Sequence, residues 1–115
     1  MSQPKNEAEL RDEVLALLDQ FHLPHFKHWS GPFSKSGIPD IYVTLPGGRA
    51  CWIELKGPAG KPTPEQLAFI EEHSAAGALA FFAYSVEAVI VTLADAGVEC
   101  MEEVRGQFKR GLANG

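Results

Sequence analysis

The stretch Ser36–Lys56, SGIPDIYVTLPGGRACWIELK, decides how this chain folds. Ile41, Val43 and Leu45 alternate with Asp40, Tyr42 and Thr44, and Cys51, Ile53 and Leu55 alternate with Trp52, Glu54 and Lys56. A period of two sends successive side chains to opposite faces, so the stretch reads as a turn, a strand, a tight Gly-Gly turn and a second strand. Asp40 then lies opposite the apolar set of its strand, and Glu54 and Lys56 share one face of theirs. A three-residue loop, Pro46-Gly47-Gly48, sets Leu45 against Arg49 and Asp40 directly across from Glu54. Cross-strand partners hold their Cβ atoms roughly 5 Å apart. Two carboxylates that close repel unless a proton or a cation lies between them. A hard divalent cation such as Mg²⁺ suits that position, because it takes oxygen ligands and is held by one or two carboxylates plus substrate phosphate. Lys56 aims an ammonium at the same place.

The order Gly37-Ile38-Pro39-Asp40, then Glu54-Leu55-Lys56, then Pro64-Glu65-Gln66 resembles the PD-(D/E)xK nuclease superfamily and, within it, the VRR-NUC group in its short stand-alone form from phages and bacteria. The resemblance spans roughly Glu7 to Tyr84. It implies an α/β fold, a restriction-endonuclease-like αβββαβ core with a mixed central sheet flanked by helices. The implied activity is that of an Mg²⁺- or Mn²⁺-dependent DNA endonuclease that hydrolyses phosphodiester bonds and leaves 5′-phosphate and 3′-hydroxyl ends. The metal set so implied is Asp40, Glu54, the Leu55 carbonyl and a glutamate of the first helix, with Lys56 orienting or deprotonating the nucleophile or offsetting developing charge. The resemblance further implies selectivity for branched DNA, in the manner of a Holliday-junction resolvase. Two symmetric cuts at a four-way junction call for a two-fold homodimer. The alternatives are a general nicking nuclease and a non-catalytic nucleic-acid-binding module on the same fold. A small-molecule hydrolase lacks support, since no G-x-S-x-G elbow is present.

Length and composition fit one domain over residues 1–115, with a core over about 6–97 and a C-terminal helix over about 101–110. At 115 residues, with 45% apolar and 22% charged side chains, the chain is long enough for one core. No apolar run approaches the ~18 residues of a membrane span. The N-terminus MSQPKNEAEL lacks the apolar centre of a signal peptide. Cys51 and Cys100 have no metal spacing and read as reduced thiols of a cytoplasmic protein, bacterial or phage-encoded. No organic cofactor is expected. The net charge of −5 argues against indiscriminate coating of DNA. From His25 to Lys61, however, Lys27, Lys35, Arg49, Lys56 and Lys61 face only Asp40 and Glu54. A divalent cation on those two acids leaves a locally positive surface, which suits a protein that grips phosphate near its site and nowhere else.

The rest of the chain is read around this hairpin. Leu10, Val14, Leu17, Leu18 and Phe21 predict a helix over about Asn6–Phe21 with Asn6 as N-cap. Glu7 falls at the edge of its apolar stripe, and the E-x-x-L spacing matches it to the family's helix-one glutamate. Glu13, on the other flank, is the fallback, and a first-turn glutamate also complements the helix dipole. A turn at Pro24 leads to a short strand over His25–Trp29, whose His25, Lys27 and Trp29 could face nucleic acid. His25 and His28 fall on opposite faces, which excludes a shared metal. Lys27 and His28 are candidate phosphate contacts. Gly31–Gly37, with Lys35, reads as a loop bordering the site and moving until substrate binds. Lys61 is a candidate phosphate anchor. Thr63 predicts a helix cap with Pro64 at the first position, Leu67, Phe69 and Ile70 as its apolar side, and Gly77 as its end. Gln66 completes a T-x-x-Q capping box, and the resemblance also sets it at the mouth of the site, bonded to the attacking water or to Lys56. Ala78–Tyr84 is apolar on both faces, as a strand inside a covered sheet is. Ser85 caps a helix to about Ala96, Val98–Met101 reads as a short strand, and a last helix runs to about Arg110, with LANG frayed beyond it. The Ala78–Tyr84 strand and Met101, Val104 and Phe108 of the last helix are candidate dimer contacts.

Overall fold

Asn6 starts the first helix: its Oδ1 accepts from the Glu9 backbone N–H at 2.8 Å, and α1 runs Glu7–Gln20 with Leu10, Val14 and Leu18 buried. The computed structural model describes residues 6–29, 31–32 and 35–114, with side chains through residue 111. The opening MSQPK, Ser30, Phe33 and Ser34 of the segment before the hairpin, and the final glycine therefore lie outside the described residues.

Three antiparallel strands follow: β1 (His25–Lys27), β2 (Ile41–Thr44) and β3 (Ala50–Leu55). The hairpin closes as expected. Leu45 N donates to the Arg49 carbonyl at 2.9 Å, Gly48 N donates to the Leu45 carbonyl at 2.8 Å, and Gly47 and Gly48 both take φ of 89°. That left-handed backbone is open to glycine at little cost. Helix α2 (Pro64–Ala75) crosses over and feeds β4 (Leu79–Ala83), which pairs parallel to β3. The sheet order is β1-β2-β3-β4. Helices α3 (Val86–Asp95) and α4 (Glu99–Asn114) close the chain. The fold is thus the mixed α/β sheet with flanking helices that the sequence implies.

The two faces of the sheet are covered differently. Ile41, Val43, Cys51, Ile53 and Leu55 point to one side and pack with Leu10, Val14 and Leu18 of α1, Val89 and Leu93 of α3 and Met101 of α4. Each fully buried aliphatic side chain contributes roughly 1.5–3 kcal/mol, so this layer holds the fold. The other side carries Tyr42 and Trp52, and α2 rests on it through Phe69, whose ring meets Trp52 edge-on at 5.2 Å. Gly37 makes the approach of α2 possible. Its φ is 87°, and a Cβ there would lie 2.5 Å from the Glu65 carbonyl oxygen.

Several expectations are corrected. The strand over Ala78–Tyr84 is the edge strand of the sheet, with only Ala83 buried, because nothing among the described residues pairs beyond it. No strand forms over Val98–Met101. The Val98 carbonyl accepts from Met101 N and Glu102 N, and Val98 and Met101 enter the core at helical spacing. The last helix extends to Asn114 rather than ending near Arg110 with a frayed LANG. Leu67 is exposed, leaving Phe69 as the buried residue of α2. Met101 is core and so is unavailable as a contact surface, whereas Phe108 is exposed.

Candidate active site

Continuing the β2–β3 register by one residue past the Ile41–Ile53 pair sets Asp40 opposite Glu54. Asp40 Oδ2 accepts from the Leu55 backbone N–H at 3.2 Å, which ties the end of β2 to the peptide next to the second acid. Glu54 is only 4% exposed and Lys56 only 8%, the two buried charged side chains among the described residues. Lys56 Nζ stands 3.7 Å from Glu54 Oε2. Buried acids and lysines persist where they are paired, and here the pairing is mutual.

The helices complete the surroundings. Thr63 and Gln66 form the capping box: Gln66 N donates to Thr63 Oγ1 at 3.1 Å, and Thr63 N donates to Gln66 Oε1 at 3.0 Å. The same Gln66 donates from Nε2 to Glu54 Oε2 at 3.2 Å. One side chain therefore caps α2 and reaches the site, and its partner there is Glu54 rather than Lys56. Glu7 opens α1 beside Gly57, where a Cβ would meet the Glu7 backbone nitrogen at 3.5 Å. Its charge acts on Glu54. Glu13 is exposed farther along α1 and is not among the groups acting on Glu54.

Burial, and then the charge of Asp40, push the Glu54 carboxyl from an ordinary 4.5 up to about 8. Lys56 opposes that rise, while a hydrogen bond with Asp40 and the charge of Glu7 add to it. A proton between the carboxylates relieves the repulsion inherent in the register. A hard divalent cation relieves it equally, and the donors are oxygens of the type such ions take. Asp40 and Glu54 fit one on that chemistry. Among the described residues no group of three His, Cys, Asp or Glu side chains converges as a metal-binding set. Glu7 is turned to Arg11, whose Nη2 donates to its Oε2 at 3.0 Å.

The candidate phosphate contacts are spread around this centre. The His28 backbone N–H donates to the Asp40 carbonyl at 2.6 Å, and its buried ring Nε2 makes no hydrogen bond among the described residues. Lys35 is exposed and lines a cleft of about 330 Å³ with Gly37, Thr63 and Gln66. Lys61 is exposed on the loop between β3 and α2, next to Gly60, whose carbonyl accepts from the Tyr84 hydroxyl at 3.1 Å. Lys27 is set apart. By register it shares the face of Ile41, opposite Glu54, and its ammonium lies 3.9 Å over the ring of Trp29. His25 is on that same face, with Nδ1–H donating to the Leu23 carbonyl and Nε2 at 3.3 Å from Asp19 Oδ1.

Two features of the site escape the sequence reading. Arg11, four residues after Glu7, is the helical position that meets an acid at i, a signal present in the spacing. Phe26, Tyr42 and Trp52 are register partners on the Asp40–Glu54 face. Their places at even spacing from Asp40 and Glu54 carried the same information.

No family model matches the chain. A stretch of 33 residues, 29% of the chain, is 48% identical to "Putative nuclease p44" of Acyrthosiphon pisum secondary endosymbiont phage 1 and spans 36% of that relative's length. A solved structure described as a VRR_NUC domain superposes with a TM-score of 0.62 at 27% identity, covering 72% of this chain and 88% of that one. A second, a VRR_NUC domain protein, superposes with a TM-score of 0.61 over 79% of this chain and 87% of its own; at 23% identity it speaks to the fold. Fold, topology and the matched stretch agree in their likeness to VRR_NUC domain structures and to a phage nuclease, and they support the VRR-NUC resemblance.

Proposed function

We propose that this protein is a metal-dependent nuclease that hydrolyses phosphodiester bonds in DNA. The observation that carries the reading is the buried Glu54, faced by Asp40, touched by Gln66 and met by Lys56 at 3.7 Å, all at one end of the strands. Asp40 and Glu54 would hold Mg²⁺ or Mn²⁺, with the Leu55 carbonyl and a Glu7 released from Arg11 as further ligands. When bound, such an ion supplies Lewis acidity, polarising the phosphoryl group and acidifying water. Lys56 offers N–H donors to the attacking water and to the charge that builds on the phosphoryl oxygens. Gln66 holds the Glu54 carboxylate in one orientation. His28, Lys35 and Lys61 position the phosphate backbone around the centre, and Lys27 with Trp29 does so from the outer edge of β1. Water adds at phosphorus, the 3′ oxygen leaves and takes up a proton, and the products are a 5′-phosphate and a 3′-hydroxyl.

The finer reading is an endonuclease that prefers branched DNA and works as a two-fold homodimer in the cytoplasm of a bacterium, encoded by the cell or by a phage. The open outer edge of β4 and the exposed Phe108 are the surfaces that support an assembly. No helix among the described residues is long and apolar enough to cross a membrane. Incubating supercoiled plasmid, linear duplex and a four-way junction with Mg²⁺, Mn²⁺ or EDTA tests the activity. Cleavage that EDTA abolishes and that favours the junction is the expected result. No cleavage under any metal would refute the nuclease reading, and equal cleavage of all three would leave a general nicking enzyme. Light scattering at tens of micromolar tests the dimer, and a monomer there would overturn it.

A further inference from the structure

On the face that carries the acid pair, the next row of residues along the strands is aromatic. Phe26, Tyr42 and Trp52 are register partners, one pleat repeat (roughly 6.5 Å) from Asp40 and Glu54. Phe26 stacks on Tyr42 with centroids 5.2 Å apart and planes at 30°, and Tyr42 meets Trp52 edge-on at 4.9 Å. Trp52 is braced in turn by Phe69 of α2. The row is thus wedged at its α2 end and open at the β1 end, where Phe26 is 52% exposed. A ring held by a stack behind it and bare in front is a surface for another flat π system. Cation charge for a nucleic-acid backbone stands at the α2 end, where Lys35 lines a cleft with Phe69, Glu65 and Glu72; Lys27, next to Phe26 in sequence, projects to the opposite face of β1.

We propose that Phe26, backed by Tyr42, seats an unpaired nucleobase of the DNA strand that lies at the Asp40–Glu54 pair. This rests on the nuclease reading above and gives it a substrate feature. A base inside a duplex has both faces covered by its neighbours, whereas an unstacked base at a branch or flap offers one to an aromatic ring. Selectivity for branched DNA then comes from one side chain beside the chemistry, on a chain with no separate recognition element in its described residues.

The test uses the whole protein with Ca²⁺ in place of Mg²⁺ and two probes, a splayed-arm DNA carrying 5-iodouracil in its unpaired arms and a fully paired duplex of equal length. Irradiation is expected to cross-link the iodouracil to the peptide holding Phe26. Phe26→Ala and Phe26→Leu should weaken binding of the splayed-arm DNA by roughly 5- to 150-fold, the span of base–aromatic stacking, while changing duplex binding by less than about twofold. Phe26→Trp should restore it, and melting curves establish that each variant is folded. Cross-links confined to other peptides, or equal losses on both probes, would overturn the proposal while leaving metal-dependent cleavage of duplex untouched. A cross-link at Phe26 in a protein that cuts no DNA under Mg²⁺ or Mn²⁺ would instead sink the nuclease reading and keep the base seat.

Discussion

The two faces of one sheet do different work in this protein. Odd-numbered positions of the hairpin, Ile41, Val43, Cys51, Ile53 and Leu55, are fully buried against α1, α3 and α4. Even-numbered positions, Asp40, Tyr42, Trp52, Glu54 and Lys56, face α2 and the open side. The burial of Cys51 shows the character of the first face: desolvation pushes its thiol up to about 12, so it serves as a small apolar side chain rather than a reactive one. Burial on the second face has the opposite meaning. Glu54 and Lys56 are kept from water while still polar, which stores repulsion beside Asp40 and leaves a place for a proton or a cation. One face stabilises the fold, and the other holds the buried charged cluster on which the proposed site rests.

That contrast breaks most visibly in activity. Asp40→Asn and Glu54→Gln should each lower DNA cleavage on the order of 10²–10³-fold or more, with the metal-free melting temperature unchanged or raised, because each relieves carboxylate repulsion. Gel assays and thermal melts check both halves. A fall in the metal-free melting temperature would count against facing carboxylates. Ile53→Ala, one residue away on the other face, should do the reverse. It should cost about 2–5 kcal/mol of stability, and any lost cleavage should follow the folded fraction in a denaturant titration.

Gln66 lies across the boundary, capping α2 and touching Glu54, so its variant sharpens the comparison. Gln66→Ala should cost roughly 0.5–2 kcal/mol in urea unfolding yet slow cleavage about 10–100-fold, the range for a side chain that orients a metal ligand. Loss of activity only in step with unfolding would make Gln66 a cap alone.

A smaller effect follows from titration. Glu54 holds its proton more tightly folded than unfolded, so the folded state binds more protons between its ordinary 4.5 and about 8. Stability from this group is therefore complete below about 4.5 and is lost as pH rises through about 8. Metal-free melts of the wild type should decline across that window relative to Glu54→Gln, and parallel curves for the two proteins would contradict the assignment.

The hairpin was legible because two signals agreed: a strict period of two and a glycine pair that fixes loop length and hence register. The Asn6, Thr63 and Ser85 caps were legible for a similar reason, each hydroxyl or amide preceding an apolar periodic run. The edge position of Ala78–Tyr84 is not legible, because an edge strand under a helix has the same apolar run as an inner one. Val98–Met101 is too short for period two to be told from the i, i+3 spacing that it follows. The contact of Gln66 with Glu54 is not legible in the sequence, because a capping glutamine is set by sequence but the reach of its amide is set by how closely α2 approaches β3. That approach depends on Gly37 fitting against Glu65, a contact between segments 28 residues apart.

The most direct measurement is a calorimetric titration of Mn²⁺ into the wild type and Asp40→Ala, with a melting curve establishing that the variant is folded. Saturable binding of one ion to the wild type and none to Asp40→Ala is the expected result. Wild-type affinity in the folded variant would contradict it.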